Sequence, residues 1–228
     1  MSACIISTGD RIRTSSALGI SGSNTCSISF WLIPDQDFTT GNLRMCLWTG
    51  SPYPIAQIRE EAGSSDRLDG FFQDSTGSTH HCREVDVLTS ALDPIFITLT
   101  WDGSTVRMYV NAVEVATNST SITFSTDDGF HLGETGNTFT GVYGDPRCYS
   151  RVLPVEEIEL MYTARGRDGN VLSNILRWTF FEREPGTVIT SNLVTDITDA
   201  DNDADFISGT PEFDDSGDLC LGYRRRAA

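Results

Sequence analysis

The sequence contains no lysine. Its 16 basic residues are all arginine, set against 32 aspartates and glutamates, for a formal net charge of −16. A surface this acidic repels the phosphate backbone of nucleic acids and anionic lipid headgroups, so neither nucleic acid nor membrane is expected as a partner. Long apolar runs are missing as well: no window approaches the ~18 residues of a membrane-spanning helix. Residues 1–10 hold neither a basic stretch nor an apolar core, so no signal peptide is expected and synthesis in the cytoplasm is. Cysteine is sparse. Cys4, Cys26, Cys46, Cys82, Cys148 and Cys220 form no CxxC pair. They are expected to be mostly free thiols, with Cys26 and Cys148 acting as small buried apolar residues. No Gly-rich phosphate loop and no Ser-His-Asp spacing stands out.

What is present is a dense series of short alternating runs. The chain has 228 residues, 39% of them hydrophobic, which suits one β-sandwich with decorations. In Ser27–Leu32, Ile28, Phe30 and Leu32 share one face while Ser27 and Ser29 share the other. Ile97, Leu99 and Trp101 alternate with Thr98 and Thr100. Asp102-Gly103 then signals a hairpin into Val106, Met108 and Val110. Asn111-Ala112 turns the chain again toward Val113 and Val115, so three strands should form an antiparallel meander. One helix is expected, from Pro154 to Arg165: Glu156 and Glu157 favour its N-terminus, Val155, Ile158, Met161 and Tyr162 make an apolar stripe, and Gly166 suits its end. Such a helix should plug one end of a sandwich. Trp178-Thr179-Phe180-Phe181 reads as a further strand, ahead of an acidic, turn-rich stretch.

Three segments carry a resemblance: CSISFWLIPDQ (26–36), ITLTWDGSTVRMYVNAVEVAT (97–117) and GFHLGETGNTFTGVYGDPRCYSRVLPVEEIELMY (129–162). In that order they resemble the laminin G-like, concanavalin A-like lectin/glucanase superfamily, and DRIRTSSALGISGSNT (10–25) is similar to the segment before its Phe-Trp strand. The resemblance implies an all-β, antiparallel, two-sheet jelly-roll-like sandwich with one short helix. Its core is expected over residues 1–165. Three features depart from the family pattern. Ala112 stands where the family prefers Gly, so a turn without φ > 0 is expected there. Pro154 replaces a hydroxyl cap. Residues 176–213 are similar to the segment that the family carries first, yet here they come last. Residues 166–228 should therefore complete the sandwich as in a circular permutation, or exchange with a neighbouring subunit.

Several groups are candidates for chemistry. The glucanase branch needs carboxylates about 5 Å apart on one strand face. The nearest pattern, Glu84-Val85-Asp86-Val87-Leu88, puts Leu88 where the acid/base belongs, so no enzyme is expected. Asp199, Asp201, Asp203 and Asp205 alternate in DADNDAD, an oxygen-rich array that makes calcium the candidate ion, although it is not an EF-hand. His80-His81-Cys82 is read as a polar loop rather than a zinc site, because neighbouring residues diverge. Trp48 and Tyr53, in LWTGSPYP, are the aromatic candidates for stacking on a sugar, with packing or a protein contact favoured. The resemblance implies that Asp145, in the family's G-x-x-D stretch, supports structure. The sequon Asn118-Ser119-Thr120 is read as chance, and Arg224, Arg225 and Arg226 as a clamp for an acidic partner or a solvated end.

Small stand-alone members of the superfamily are similar to proteins of tailed-phage virions. The leading expectation is accordingly a non-enzymatic virion structural protein, decorating a capsid or attached to a tail, oligomeric, with capsid or tail proteins as partners. The alternative is a lectin-like adhesion module that binds glycans.

Overall fold

The computed structural model describes residues 3–14, 16–20, 25–34, 43–61, 67–84, 87, 94–134, 136–165, 174–179, 195–196, 204–208 and 212–214. The chain opens with β1 (Ala3–Ile6), β2 (Arg11–Thr14), β3 (Cys26–Pro34) and β4 (Arg44–Ser51). Next come β5 (Ala56–Glu60), β6 (Leu68–Gln73) and β7 (Thr79–Glu84), then β8 (Ile95–Trp101), β9 (Thr105–Val110) and β10 (Val113–Ser119). β11 (Thr126–Gly133) and β12 (Gly141–Tyr149) lead into α1 (Val155–Ala164). The C-terminal segment adds β13 (Asn174–Thr179), β14 (Thr195–Asp196), β15 (Ala204–Ser208) and β16 (Glu212–Asp214).

These strands form two antiparallel sheets. The first runs β10-β9-β8-β3-β12-β1-β16, with β13 also on β12 and β14 on β13. The second runs β15-β2-β11-β4-β5-β6-β7. Between them lies one apolar core, with Phe30, Trp48, Phe72, Trp101, Met108 and Phe130 among its wholly buried members. Burying each such side chain contributes roughly 1.5–3 kcal/mol. Gly70 permits the close approach of the sheets, since a Cβ there would sit 2.9 Å from Leu99 Cδ1 and 3.2 Å from Met108 Sδ.

The expected meander is present: β8 pairs with β9 from Ile97↔Val110 to Trp101↔Val106, and β9 with β10. Asp102 stabilises the first turn by accepting from the Ser104 and Thr105 amides at 2.9 and 2.8 Å. The second turn corrects the expectation at Ala112. Asn111 and Ala112 both take positive φ, 51° and 66°. A two-residue connection matches the right-handed twist of its strands only in this primed geometry, and that requirement outweighs the roughly 1 kcal/mol that a Cβ costs there.

The helix forms where expected, with Pro154 as its N-cap residue, but its place differs. Ile158 and Met161 pack with Trp31, Ile33, Phe96 and Tyr149 on the face of the first sheet opposite the core. The helix therefore covers that face and does not plug an end. The reason lies in β3: Ile28, Phe30 and Leu32 fill the inter-sheet core while Trp31 and Ile33 present a second apolar surface that also needs cover. Val155, placed in the stripe by sequence, is 40% exposed, and Arg165 adopts the left-handed C-cap conformation; Gly166 lies outside the described residues.

The C-terminal strands join both sheets within the chain. β13 pairs with β12 (Arg147↔Arg177), β16 with β1 (Cys4↔Phe213) and β15 with β2 (Phe206↔Ile12). The strand expected at Trp178–Phe181 begins earlier, at Asn174. Among the described residues, no helix is long and apolar enough to cross a membrane.

A candidate functional site on the outer face of the second sheet

Each strand of the second sheet turns alternate residues toward the core, which assigns the intervening residues to the outer face. Register then builds a row across six strands. Arg13 of β2 lies opposite His131 of β11, His131 opposite Leu47 of β4, Leu47 opposite Gln57 of β5, Gln57 opposite Phe71 of β6, and Phe71 opposite His81 of β7. A parallel row holds Arg44, Arg59, Asp69 and Arg83.

Asp69 anchors this second row. It is fully buried, and three basic groups converge on it: Arg59 Nε at 3.0 Å from Oδ2, His81 Nδ1 at 2.8 Å from Oδ1 and Arg83 Nε at 3.5 Å. Facing a carboxylate puts the His81 proton on Nδ1, which leaves Nε2 to accept from the Thr79 hydroxyl at 2.9 Å. The Phe71 ring supports this arrangement, with the Arg59 guanidinium 5.1 Å above its centroid and the His81 ring 4.9 Å away. Glu61 accepts from Arg67 at 2.6 Å and from Arg83 at 2.8 Å, and Glu134 bridges Arg11 and Arg44, each at 3.3 Å.

Two polar side chains of the first row have no such partner. Gln57 Nε2 and His131 Nδ1 are buried, with the residues only 3% and 6% exposed, and neither atom makes a hydrogen bond. Burial, and after it the charges of Arg11 and Arg13, hold the His131 imidazole down to about 4. It is therefore neutral at physiological pH. An unpaired buried amide or imidazole costs about 1–3 kcal/mol, so such groups mark a place where a partner of matching polarity is missing.

The aromatic pair expected from sequence does not meet there. Trp48, a candidate for stacking on a sugar, is wholly buried on β4 and donates Nε1 to Asp127 Oδ1 at 2.9 Å. LWTGSPYP is mostly strand, and its alternation turns Trp48 into the core. Tyr53 is 38% exposed at the rim, with its ring against Gly77; a Cβ on that glycine would lie 2.9 Å from Tyr53 Cζ. His80-His81-Cys82 is not a loop but the middle of β7. Cys82 faces the core and reaches the Val106 carbonyl, whereas His80 meets Thr120 Oγ1 at 2.6 Å. Among the described residues, no three His, Cys, Asp or Glu side chains are placed to hold a metal.

Of the carboxylates weighed for catalysis, Glu84 ends β7 and Asp86 lies outside the described residues. Asp199, Asp201 and Asp203 also lie outside them, as do Arg224, Arg225 and Arg226; Asp205 is described only as a backbone position of β15, opposite Arg13. Asp145 is structural, as expected: it is buried and accepts from both Arg147 and Arg177. Cys4, Cys26, Cys46, Cys82 and Cys148 are buried free thiols. Sequence reading missed Gln57, Arg59, Asp69, Phe71 and Arg83. The signal available was the alternation in AQIRE (56–60) and LDGFFQ (68–73), but only register unites those positions.

A family model described as the concanavalin A-like lectin/glucanases superfamily matches residues 7–159. No curated protein sequence matches the chain. Among solved structures, a candidate carbohydrate-binding protein from Bacteroides ovatus superposes with a TM-score of 0.66 at 16% identity, over 93% of this chain and 59% of that one. The receptor binding domain of botulinum neurotoxin D superposes with a TM-score of 0.56 at 14% identity, over 84% of this chain and 46% of that one. This chain thus spans less than two thirds of either. Identities so low establish a shared fold and nothing finer. Neither protein is described as a virion component, and these likenesses lend no support to a capsid or tail role.

Proposed function

The chain belongs to the concanavalin A-like lectin/glucanase superfamily, and from that membership we propose that it binds carbohydrate, without cleaving it, on the outer face of its second sheet. The observation that carries this reading is the buried Gln57 Nε2 and His131 Nδ1, each without a hydrogen-bond partner, on the sheet face that also bears Arg59, Asp69, His81 and Arg83. Sugar hydroxyls are both donors and acceptors. Planar amide, imidazole, carboxylate and guanidinium groups on a rigid sheet meet them in fixed directions, which supplies the few well-placed polar contacts that a small-ligand site needs. The reading is supported further by what the Bacteroides ovatus relative is described as binding.

The absence of cleavage rests on the carboxylates. Among the side chains described in these rows the carboxylate is Asp69; it is committed to Arg59, His81 and Arg83, and glycoside hydrolysis needs a second, protonated carboxyl group opposite it. Immobilised glycans provide the test. Saturable binding to at least one glycan is expected, weakened by Arg83→Ala, whose side chain is exposed enough to be removed without harm to the core. The recovered glycan should be intact. Absence of binding across neutral and charged glycans alike defeats the reading, and release of shortened oligosaccharides defeats its non-catalytic part.

A further inference from the structure

We propose that the outward face of α1 is the docking surface for the chain's own terminal segment 219–226, whose arginines seat on Glu156 and Glu159 and whose apolar residues cover Val155 and Leu160.

The first sheet uses only one face of the helix. Ile158 and Met161 are buried against it, and Tyr162 stacks on Trp31 with ring centroids 5.7 Å apart. Val155, Glu156, Glu159, Leu160 and Thr163 are exposed. Their spacing along the helix puts these five on a single stripe turned away from the sheet. Val155 is 40% and Leu160 56% exposed, two of the four large apolar side chains left exposed among the described residues. Glu157, at the edge of the stripe, is held by Arg151, whereas Glu156 and Glu159 form no ion pair among the described residues. Apolar side chains interleaved with carboxylates fit a partner that is both apolar and basic.

The terminal segment has that chemistry. In Leu219-Cys220-Leu221-Gly222-Tyr223-Arg224-Arg225-Arg226, apolar residues run into the longest stretch of basic residues in the chain. Arginine meets a carboxylate through two parallel N–H groups. A second copy of the helix is the wrong partner, because it would set its own Glu156 and Glu159 against these two and like charges repel.

The described C-terminal strands also end in the right place. β16 stops at Asp214, opposite Ala3; Ala3 lies opposite Gly144, and Gly144 opposite Trp31. One register row thus joins the end of β16 to the residue on which Tyr162 of α1 stacks, three strand spacings or ~14 Å away. Arg224 is ten residues beyond Asp214, an extended reach of ~33 Å. That is enough to cross the distance and pass over a helix ~10 Å wide. An exposed ion pair is weak alone. A short tether holds the segment at an effective concentration of about a millimolar, so weak contacts suffice.

Disulfide trapping in the full chain tests the docking. Cys220 lies in the segment, while Cys4, Cys26, Cys46, Cys82 and Cys148 are buried. Val155→Cys and Thr163→Cys each place a thiol at one end of the stripe; Ser75→Cys places one in the exposed turn between β6 and β7, on the other sheet. The variants are treated with oxidised glutathione and read by non-reducing electrophoresis and peptide mass. An intrachain disulfide from Cys220 to position 155 or 163 is expected, forming at least about tenfold faster than to position 75. Replacing Arg224, Arg225 and Arg226 with Glu should slow it about tenfold, and adding Glu156→Arg and Glu159→Arg should restore it. No link at either helix position, or links equally fast to position 75, overturns the docking. A link between molecules gives the surface to a second copy's segment and overturns the intrachain assignment. Trapping unchanged by charge reversal overturns the role of the arginines.

Discussion

Arg177 on β13 donates Nε to Asp145 Oδ1 at 2.7 Å, and both residues are about 95% buried. Arg147 reaches the other oxygen of the same carboxylate from β12, with Nε at 3.0 Å. One aspartate thus neutralises two buried guanidinium groups and ties the C-terminal segment to the strand that also pairs with β3 and β1. Asp145 holds a positive φ of 49° to do so. Asp145→Asn keeps the shape and removes the negative charge that both buried guanidinium groups face. Equilibrium urea unfolding should register a loss of about 3–5 kcal/mol. A loss below about 1 kcal/mol would mean that the pair is worth no more than a surface contact.

His131 makes stability depend on pH in a defined window. Its folded-state protonation sits at about 4, below its ordinary 6.5, so the unfolded chain takes up the proton first. This group's contribution is whole above about pH 6.5 and declines as pH falls to about 4, by on the order of 3 kcal/mol in all. His131→Gln should flatten that part of the profile. Unfolding midpoints at several pH values between 4 and 7.5 check it, and a parental slope surviving in the variant would contradict it. Asp74, held down to about 2 chiefly by the Thr76 hydroxyl, acts in the opposite sense and lower: its contribution is present above about pH 4 and is lost toward pH 2.

Trp48 and Tyr53 should separate cleanly in stability. Trp48→Ala opens a cavity in the inter-sheet core and removes one of the donors to Asp127, so it should cost about 3–5 kcal/mol. Tyr53→Ala removes a rim ring and should cost about 1 kcal/mol or less. Thermal or urea denaturation of the two variants measures the contrast. Similar losses would refute the different environments assigned to the two rings.

The buried thiols should be inert. Desolvation pushes Cys26 and Cys46 well above the usual thiol range, and Cys82 up to about 12. A thiol that stays protonated is a poor nucleophile. Native alkylation with iodoacetamide, read by peptide mass, should leave Cys4, Cys26, Cys46, Cys82 and Cys148 unmodified until denaturant is added. Rapid labelling of any of these five in the native protein would contradict the burial.

Asn118 shows how a local motif acquires a tertiary role. It donates Nδ2 to the His81 carbonyl at 2.9 Å, and Thr120 Oγ1 meets His80 Nδ1 at 2.6 Å. The sequon residues thereby link the edge strands β10 and β7 of the two sheets, a way of occupying polar groups at exposed edges. Asn118→Leu should loosen that seam. Faster amide hydrogen exchange in β7 and β10, with the core unchanged, is the expected readout. Unchanged exchange there would leave the contact without energetic weight.

The sequence by itself determined the elements whose signals are local. Alternation in Ser27–Leu32 and Ile97–Val110 is enough to call for strands with one buried face, because side chains on a strand repeat every two residues. Asp102-Gly103 and Pro154 punctuate the chain through their own backbone preferences. The helix was legible for the same reason, whereas the structural role of Asp145 followed from the family resemblance. Three things were decided only by the tertiary structure. Ala112 took a left-handed conformation because two paired strands left it no other. The helix settled on a sheet face because Trp31, Ile33 and Phe96 together made an apolar surface that no single strand reveals. Gln57, Phe71, His81 and His131 are far apart in sequence, and register alone aligns them into one row. Pairing between strands is a non-local choice, made by the packing of the whole core, so a site built across six strands could not be read from any one of them.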